Sequence, residues 1–477
     1  MEHSWARRTI VAVIALGTIC RVAQYLSDQS FWGDEAYLIL NVRAKSAWQL
    51  AGAMKMTVDG RTIPPQMAPP LYLLWLKACV WMLGDNEFAW RLPALLCGIA
   101  ALPLVALVAW RVLLPWGAAL ATAWVTLCQK LVVHSVMVKQ YSGDVACALL
   151  LTLIAVSRGP AVRRLAVLAL LTTLIVWLST PAVLVFAGSA VALYPEIRRE
   201  SNMPRTFWLL CWAPVAVSFL LLKHFSLDRQ DDAVFHAFWA TYLLDWRHPL
   251  GWAWWLFHQT FSLCDYPYEP WGVLILLLVA AGMRRIGQAK VMMAPVIVTL
   301  MAGMLDRYPF GGSRVDLFLV PTVLILAASG IQRMTVILSA KSRWLAYVLA
   351  AIPTVSGVIQ SSYHLFRPYV TTQLRPVLQW AQPRVRPGDT LVFVGPNTWP
   401  VCFVYWPHPP SQPVIINENQ ACHPTGRFWC ICEFAPGEFA RKRKPVIQRI
   451  AAGETPIDSY IGEGGAAFLF DRSDTLR

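Results

Sequence analysis

At 477 residues, 57% hydrophobic and only 14% charged, the chain is too apolar for a soluble protein, in which charged residues make up about 25%. Its net charge of +14 does not mark a nucleic-acid binder, because the basic residues fall in short loops between apolar runs. Those runs recur at roughly 17–22 residues, the length that spans a bilayer as a helix, and the 23 tryptophans suit membrane interfaces.

About eleven spans are predicted, at 9–27, 92–112, 116–133, 144–158, 164–179, 180–195, 206–223, 270–283, 290–305, 315–331 and 344–361. The first lacks a small-residue cleavage site and reads as a retained helix rather than a signal peptide. Arg7 and Arg8 precede it, and Arg158, Arg163 and Arg164 follow the fourth span. Arg198, Arg199 and Arg205 follow the sixth, Arg284, Arg285 and Lys290 the eighth, and Arg333, Lys341 and Arg343 the tenth. Every second loop is therefore basic, which sets the N-terminus on the cytoplasmic side. An odd count of spans sets the C-terminus outside. Ser179-Thr180-Pro181 joins two touching runs as a tight outer turn.

Three outer segments are long. In 28–91, residues 34–50 are expected to be helical, and 71–83 to be a Trp-bearing amphipathic helix. Lys77 in mid-run and the short length place the second helix in the interface rather than across the membrane. The segment 224–269 is rich in Trp, Tyr and His. After the membrane domain, 1–361, the chain changes character, and 362–477 reads as a small α/β extracytoplasmic domain with strands at 390–394, 413–417 and 466–470. Cys402, Cys422, Cys430 and Cys432 lie there, where disulfides are permitted. Disulfides or free thiols are expected ahead of a zinc site at Cys430, Cys432 and His423, since Cys-x-Cys alone is a weak metal signal. The other seven cysteines are expected to pack as small apolar residues.

Four features carry chemistry. Asp34 and Glu35, in Phe31-Trp32-Gly33-Asp34-Glu35-Ala36-Tyr37, follow the first span at the outer surface. Acids in a first helical turn complement the macrodipole, but flanking aromatics place this pair at the depth of a lipid head group. Lys139-Gln140-Tyr141-Ser142-Gly143-Asp144 opens the fourth span. It is either a snorkelling lysine with a helix cap or a phosphate-binding cation with Tyr141 and Asp144 placing substrate. The loop Asp306-Arg307-Tyr308-Pro309-Phe310-Gly311-Gly312-Ser313-Arg314 puts two arginines on the side that should be poor in them. Arginine suits phosphate, and the glycines allow close approach of a ligand. Asp316, just inside the next span, is a functional suspect because ionisable groups there are costly.

Together with Pro69-Pro70-Leu71-Tyr72 and Glu87-Phe88-Ala89-Trp90-Arg91-Leu92-Pro93, these motifs occur in one order. The order and the topology resemble the GT-C glycosyltransferase superfamily over nearly the whole chain. The branch it resembles comprises bacterial relatives of protein O-mannosyltransferases and the aminoarabinose transferase of lipid A. The chain departs from the family's frequent histidine before Pro-Pro-Leu-Tyr, where it has Ala68. The resemblance implies a polytopic α-helical GT-C-like protein in the bacterial inner membrane, with its small α/β domain outside. It implies an inverting transfer from a polyprenyl-phosphate sugar to a lipid, glycan or protein acceptor. In that reading Asp34 is the base, with Glu35 as its support. Lys139, Arg307 and Arg314 hold the donor phosphate, and Tyr141, Asp144 and Tyr308 contact substrate.

The chemistry is coherent. An acceptor hydroxyl needs a carboxylate to take its proton, and a phosphate leaving group needs cations rather than an acid. A glycosidase would want two separated carboxyls flanking the bond. A transporter or flippase of lipid-linked saccharides is the alternative, although no internal repeat is visible. A catalytically dead scaffold is a third class. Beyond membrane lipids, donor and acceptor, the sequence implies no partner. It specifies no cofactor, and Asp34, Glu35 and Asp144 would bind a divalent metal only if they converge.

Overall fold

A computed structural model describes residues 2–52, 56–58, 61–63, 68–226, 232–284, 288–395, 397–411, 413–416, 420 and 422–472. The helices, in chain order, begin with α1 (Glu2–Leu26), α2 (Gly33–Ala44), α3 (Pro70–Leu83), α4 (Glu87–Val112), α5 (Pro115–Leu127), α6 (Gln129–His134) and α7 (Tyr141–Ala155). They continue with α8 (Ala161–Ile175), α9 (Ala182–Glu200), α10 (Pro204–Phe225), α11 (Asp232–Trp239), α12 (Trp252–Asp265), α13 (Gly272–Met283) and α14 (Ala289–Met304). The last are α15 (Val320–Ile337), α16 (Arg343–Phe366), α17 (Arg375–Ala381), α18 (Thr398–Tyr405) and α19 (Lys444–Ile450). The strands are β1 (Met56–Val58), β2 (Arg61–Ile63), β3 (Thr390–Val394), β4 (Val414–Ile416), β5 (Arg427–Glu433), β6 (Asp458–Ile461) and β7 (Gly465–Asp471).

Each of the eleven expected spans overlaps at least one helix. Five stretches are long and apolar enough to cross a membrane by length and composition: His3–Leu26, Glu87–Val112, Pro204–Phe225, Arg314–Ile337 and Arg343–Phe366. The bundle shows Leu16, Leu107, Leu170, Leu174, Leu221 and Leu277 on its outside, as a lipid-facing surface requires and a water-facing one does not tolerate in such density. The chain is a polytopic α-helical membrane protein. The run expected as one span at 116–133 is broken at Cys128 into α5 and α6, and the span expected from 315 begins as a 3₁₀ turn, Arg314–Leu319, before α15.

After α16 the chain forms a five-stranded sheet in the order β4-β3-β5-β7-β6. β4 and β5 run parallel to β3, whereas β7 is antiparallel to both β5 and β6. β5 is central and buried from Phe428 to Glu433, which is why it reads as a continuous apolar run instead of an alternating one. Its side chains still alternate between faces. Val392, Phe428, Cys430 and Cys432 pack against Val446, Ile447 and Ile450 of α19. Leu391, Phe393, Trp429 and Ile431 turn the other way and join Phe31, Ala36 and Tyr37 at the start of α2. The sheet thus roofs α2, whose residues from Glu35 to Val42 are all buried.

Cys430 and Cys432 are buried packing thiols of β5, and with Cys402 and Cys422 they are free. Burial pushes the thiols of Cys430 and Cys432 up, so neither is a ready ligand. The strand expected at 413–417 is β4, with residue 417 outside the described residues.

Candidate active site

α2 begins at the floor of this roof, and its first turn is clamped. Glu35 is 1% exposed. It accepts hydrogen bonds from the Trp32 backbone N–H at 3.2 Å and the Val138 N–H at 2.7 Å. Arg91 donates to both of its oxygens, from Nη2 at 2.9 Å and Nε at 3.3 Å. Arg91 also donates to the carbonyls of Gln29 at 2.7 Å and Ser30 at 3.1 Å. A buried carboxylate and guanidinium thus share nearly their whole hydrogen-bonding capacity, the condition under which a buried pair is tolerated. The two motifs that contain them are joined by this contact.

A third motif arrives through Tyr72, which is fully buried and donates its hydroxyl to the Lys139 carbonyl at 2.8 Å. With the Val138 bond to Glu35, this pins the turn that precedes α7 and presents Lys139 and Tyr141 beside α2. A fourth arrives through Arg314, whose Nη2 lies 2.7 Å from Asp34 Oδ2. The Arg314 guanidinium sits between the rings of Trp32 at 5.5 Å and Phe238 of α11 at 5.9 Å, a geometry that favours a cation. Lys139 and Tyr141 are within electrostatic reach of both Asp34 and Arg314. Burial pushes the Lys139 ammonium down to about 8, with Arg314 lowering it further and Asp34 and Glu35 opposing.

Asp34, Glu35, Lys139, Tyr141 and Arg314 are therefore brought together. Arg307 is not. It is exposed on the loop before Arg314, where the chain turns through a left-handed Asp306 at φ 60° that is tied to His236 at 3.3 Å. Tyr308 uses its hydroxyl on the Val315 carbonyl at 2.9 Å and stacks edge-on against Phe318. Asp144 lies deeper, buried near Tyr72, Cys97, Cys147 and Ser179. Asp316 accepts from the Ser313 hydroxyl at 3.3 Å within its own turn.

The glycines expected to admit a ligand admit α12 instead. A Cβ on Gly311 would stand 2.0 Å from Gln259 Oε1, and one on Gly312 would stand 2.3 Å from the Ser262 carbonyl oxygen. Among the described residues no group of three His, Cys, Asp or Glu side chains converges to hold a metal. A crevice of about 20 Å³ behind Trp32, bounded by Gln29, Ser30, Glu35 and Arg91, has room for about one water.

Sequence reasoning gave no role to Trp32, Phe238 or Arg91. Arg91 stood inside a quoted motif, and its buried counter-charge was the signal. Nor did it see how the tail is held. Glu87 accepts from the Tyr405 hydroxyl at 2.8 Å and from Arg375 Nη1 at 2.6 Å, while Arg375 Nη2 also meets Asp28 at 3.0 Å. The tail is thereby fixed over the site.

No known sequence family and no curated protein matches the chain at the level of sequence. Solved structures do match over its length. ArnT from Cupriavidus metallidurans bound to undecaprenyl phosphate aligns over 98% of this chain and 98% of that one, with a TM-score of 0.51 at 12% identity. The chain shares the fold of that protein. ArnT in the apo state aligns over 96% of this chain and 97% of that one, with a TM-score of 0.49 at 13% identity. The Archaeoglobus fulgidus oligosaccharyltransferase in complex with zinc and sulfate aligns over 92% of this chain and 70% of that one, with a TM-score of 0.43 at 10% identity.

Proposed function

We propose that the chain is an inverting glycosyltransferase that moves a sugar from a polyprenyl-phosphate carrier to an acceptor at the outer face of the membrane. The observation that carries this reading is the pairing of Asp34 with Arg314 at the start of α2, with Lys139 and Tyr141 alongside. In the reaction the acceptor oxygen attacks the anomeric carbon while the Asp34 carboxylate takes its proton. The bond from that carbon to the phosphate oxygen breaks, and its electron pair leaves with the polyprenyl phosphate. Arg314 and Lys139 neutralise the charge that collects there. A single displacement inverts the anomeric centre. Glu35, with both oxygens engaged, holds the turn that carries Asp34. Arg307, exposed on the neighbouring loop, is left to attract anionic lipid from the membrane surface.

Donor binding tests this directly. Undecaprenyl phosphate, the ligand of the ArnT complex, is the probe. Losing a charge-assisted phosphate contact costs about 1.5–3 kcal/mol, so Arg314→Ala and Lys139→Ala are each expected to weaken its binding by roughly ten- to a hundredfold. Arg307→Ala should have the smallest effect of the three. Wild-type affinity in both Arg314→Ala and Lys139→Ala, measured by microscale thermophoresis in detergent, would remove the donor site from this place.

Orientation follows from the basic loops. A periplasmic reporter such as alkaline phosphatase fused after Arg477 is expected to be active, and a fluorescent protein at the same point dark. The reverse pattern would put the C-terminal sheet, and with it the site that it covers at the start of α2, on the cytoplasmic side.

A further inference from the structure

The roof contributes a carboxylate that the fold does not use. Glu433 is the last residue of β5 and shares the strand face of Trp429 and Ile431, the face turned to α2. Its main chain is fully engaged: the N–H donates to Thr398 Oγ1 at 3.1 Å, and the carbonyl accepts from Arg443 Nε at 2.8 Å. The side chain is 4% exposed, and its Oε2 has no hydrogen-bond partner among the described residues. The Thr372 hydroxyl beside it is also buried; it forms no hydrogen bond of full geometry, and the only group it interacts with here is this carboxylate.

Both groups lie where the sheet meets the start of α2. Glu433 is within electrostatic reach of Asp34 and of Tyr37. Approach at this seam is close: a Cβ on Gly33 would stand 2.5 Å from Asn397 Cβ. Thr372 can serve only one of the several acceptor sites of the carboxylate, and leaving the rest of a buried carboxylate unsatisfied is costly. An apolar residue would finish β5 at no such cost, so the oxygens call for a partner that the folded chain does not itself supply.

We propose that Glu433 and Thr372 form a sugar-hydroxyl subsite facing Asp34, which makes the C-terminal sheet part of the substrate site rather than only its cover. This rests on the glycosyltransferase reading. A carboxylate accepts hydrogen bonds and a threonine hydroxyl both donates and accepts, a set suited to vicinal hydroxyl groups. The donor's sugar and a saccharide acceptor share that chemistry.

The stability consequence separates function from structure. Burial, reinforced by Asp34 and opposed by Arg443 and Thr372, pushes the Glu433 carboxyl up from 4.5 to about 7. The groups facing it are Asp34 and Tyr37 on α2, Cys402 on α18, Cys432 on its own strand and Arg443. The folded state then holds a proton that the unfolded chain releases, so stability falls as pH rises from 4.5 through about 7. Glu433→Gln removes that loss. It is expected to melt higher than the parent at about pH 8 and to match it below the unfolded value. A lower melting temperature at the higher pH would mean that the carboxylate serves the fold, and would overturn the subsite.

The binding arm uses the full-length protein in detergent, with methyl glucoside, methyl mannoside and N-acetylglucosamine as probes and saturation-transfer NMR as the readout. At least one probe is expected to bind, and to bind about tenfold or more weakly in Glu433→Gln and in Thr372→Val, the effect of losing a hydrogen bond to a charged group. Undecaprenyl-phosphate glucose displaces the bound probe if the subsite holds the donor's sugar, and leaves it in place if the subsite holds the acceptor. Binding of none of the three, or equal binding in both variants, overturns the subsite. Loss of undecaprenyl phosphate affinity in Glu433→Gln does so too, because the residue would then be shaping the donor site. Failure of the wild-type protein to bind undecaprenyl phosphate counts instead against the glycosyltransferase reading.

Discussion

Asp34→Asn is expected to fold, insert and bind undecaprenyl phosphate, yet to transfer sugar about 10²–10⁴-fold more slowly, the usual worth of a positioned general base. The substitution keeps the size and planarity of the side chain and removes its basicity. Nothing that holds α2 depends on the Asp34 charge, since the helix start is fixed by Glu35 through Trp32, Val138 and Arg91. What changes locally is Arg314, which loses the carboxylate at 2.7 Å but keeps its place between Trp32 and Phe238. Without that anion the guanidinium has more capacity for a phosphate, so donor affinity should hold or rise while turnover collapses. This divergence is the signature of a group needed at the transition state and not in the ground state. It is read from undecaprenyl phosphate binding and sugar transfer on one preparation. Wild-type turnover in Asp34→Asn would sink the assignment of the base.

The helices were legible because a bilayer demands long apolar runs, and such runs need no tertiary information to be seen. The helix from Pro70 to Leu83 and strand β3 were legible for the same local reason. Break points were not. Cys128 ends α5 without glycine or proline to announce it. In β5 the expected choice between disulfides and free thiols falls to free thiols. Its Cys-x-Cys drew attention to metal and disulfide chemistry, whereas in a central strand the two thiols are one face of an apolar layer. Residue parity then placed Glu433 on the opposite face, toward Asp34, and no local pattern could state what lies across from it. The loop before α15 behaved likewise. Its two arginines look equivalent in sequence, yet one reaches Asp34 and the other faces outward, and the glycines between them serve α12. Candidate residues were legible as residue types in ordered motifs; which of them meet was decided by contacts spanning most of the chain.

Arg91→Leu is expected to act on the other half of the Asp-Glu pair, and on folding rather than chemistry. Removing the guanidinium deletes four hydrogen bonds at once, two to Glu35 and one each to the carbonyls of Gln29 and Ser30. It leaves a carboxylate that is 1% exposed facing an apolar side chain. Breaking one side of a buried ion pair typically costs about 3–5 kcal/mol, a large part of the total stability of most domains. The variant should therefore appear as lost yield and a melting transition many degrees lower, with activity falling in proportion to folded protein. The pairing predicts non-additivity. Glu35→Gln in the same chain removes the stranded charge, so the double variant should recover part of the loss, as coupled neighbours do. Arg91→Lys should not rescue, because an ammonium cannot reach two carboxylate oxygens and two carbonyls with fixed planar geometry. An Arg91→Leu protein with unchanged melting but abolished transfer would reverse this division of labour. It would place Glu35 in the chemistry, with Arg91 tuning it, and leave the start of α2 to be held by the roof alone.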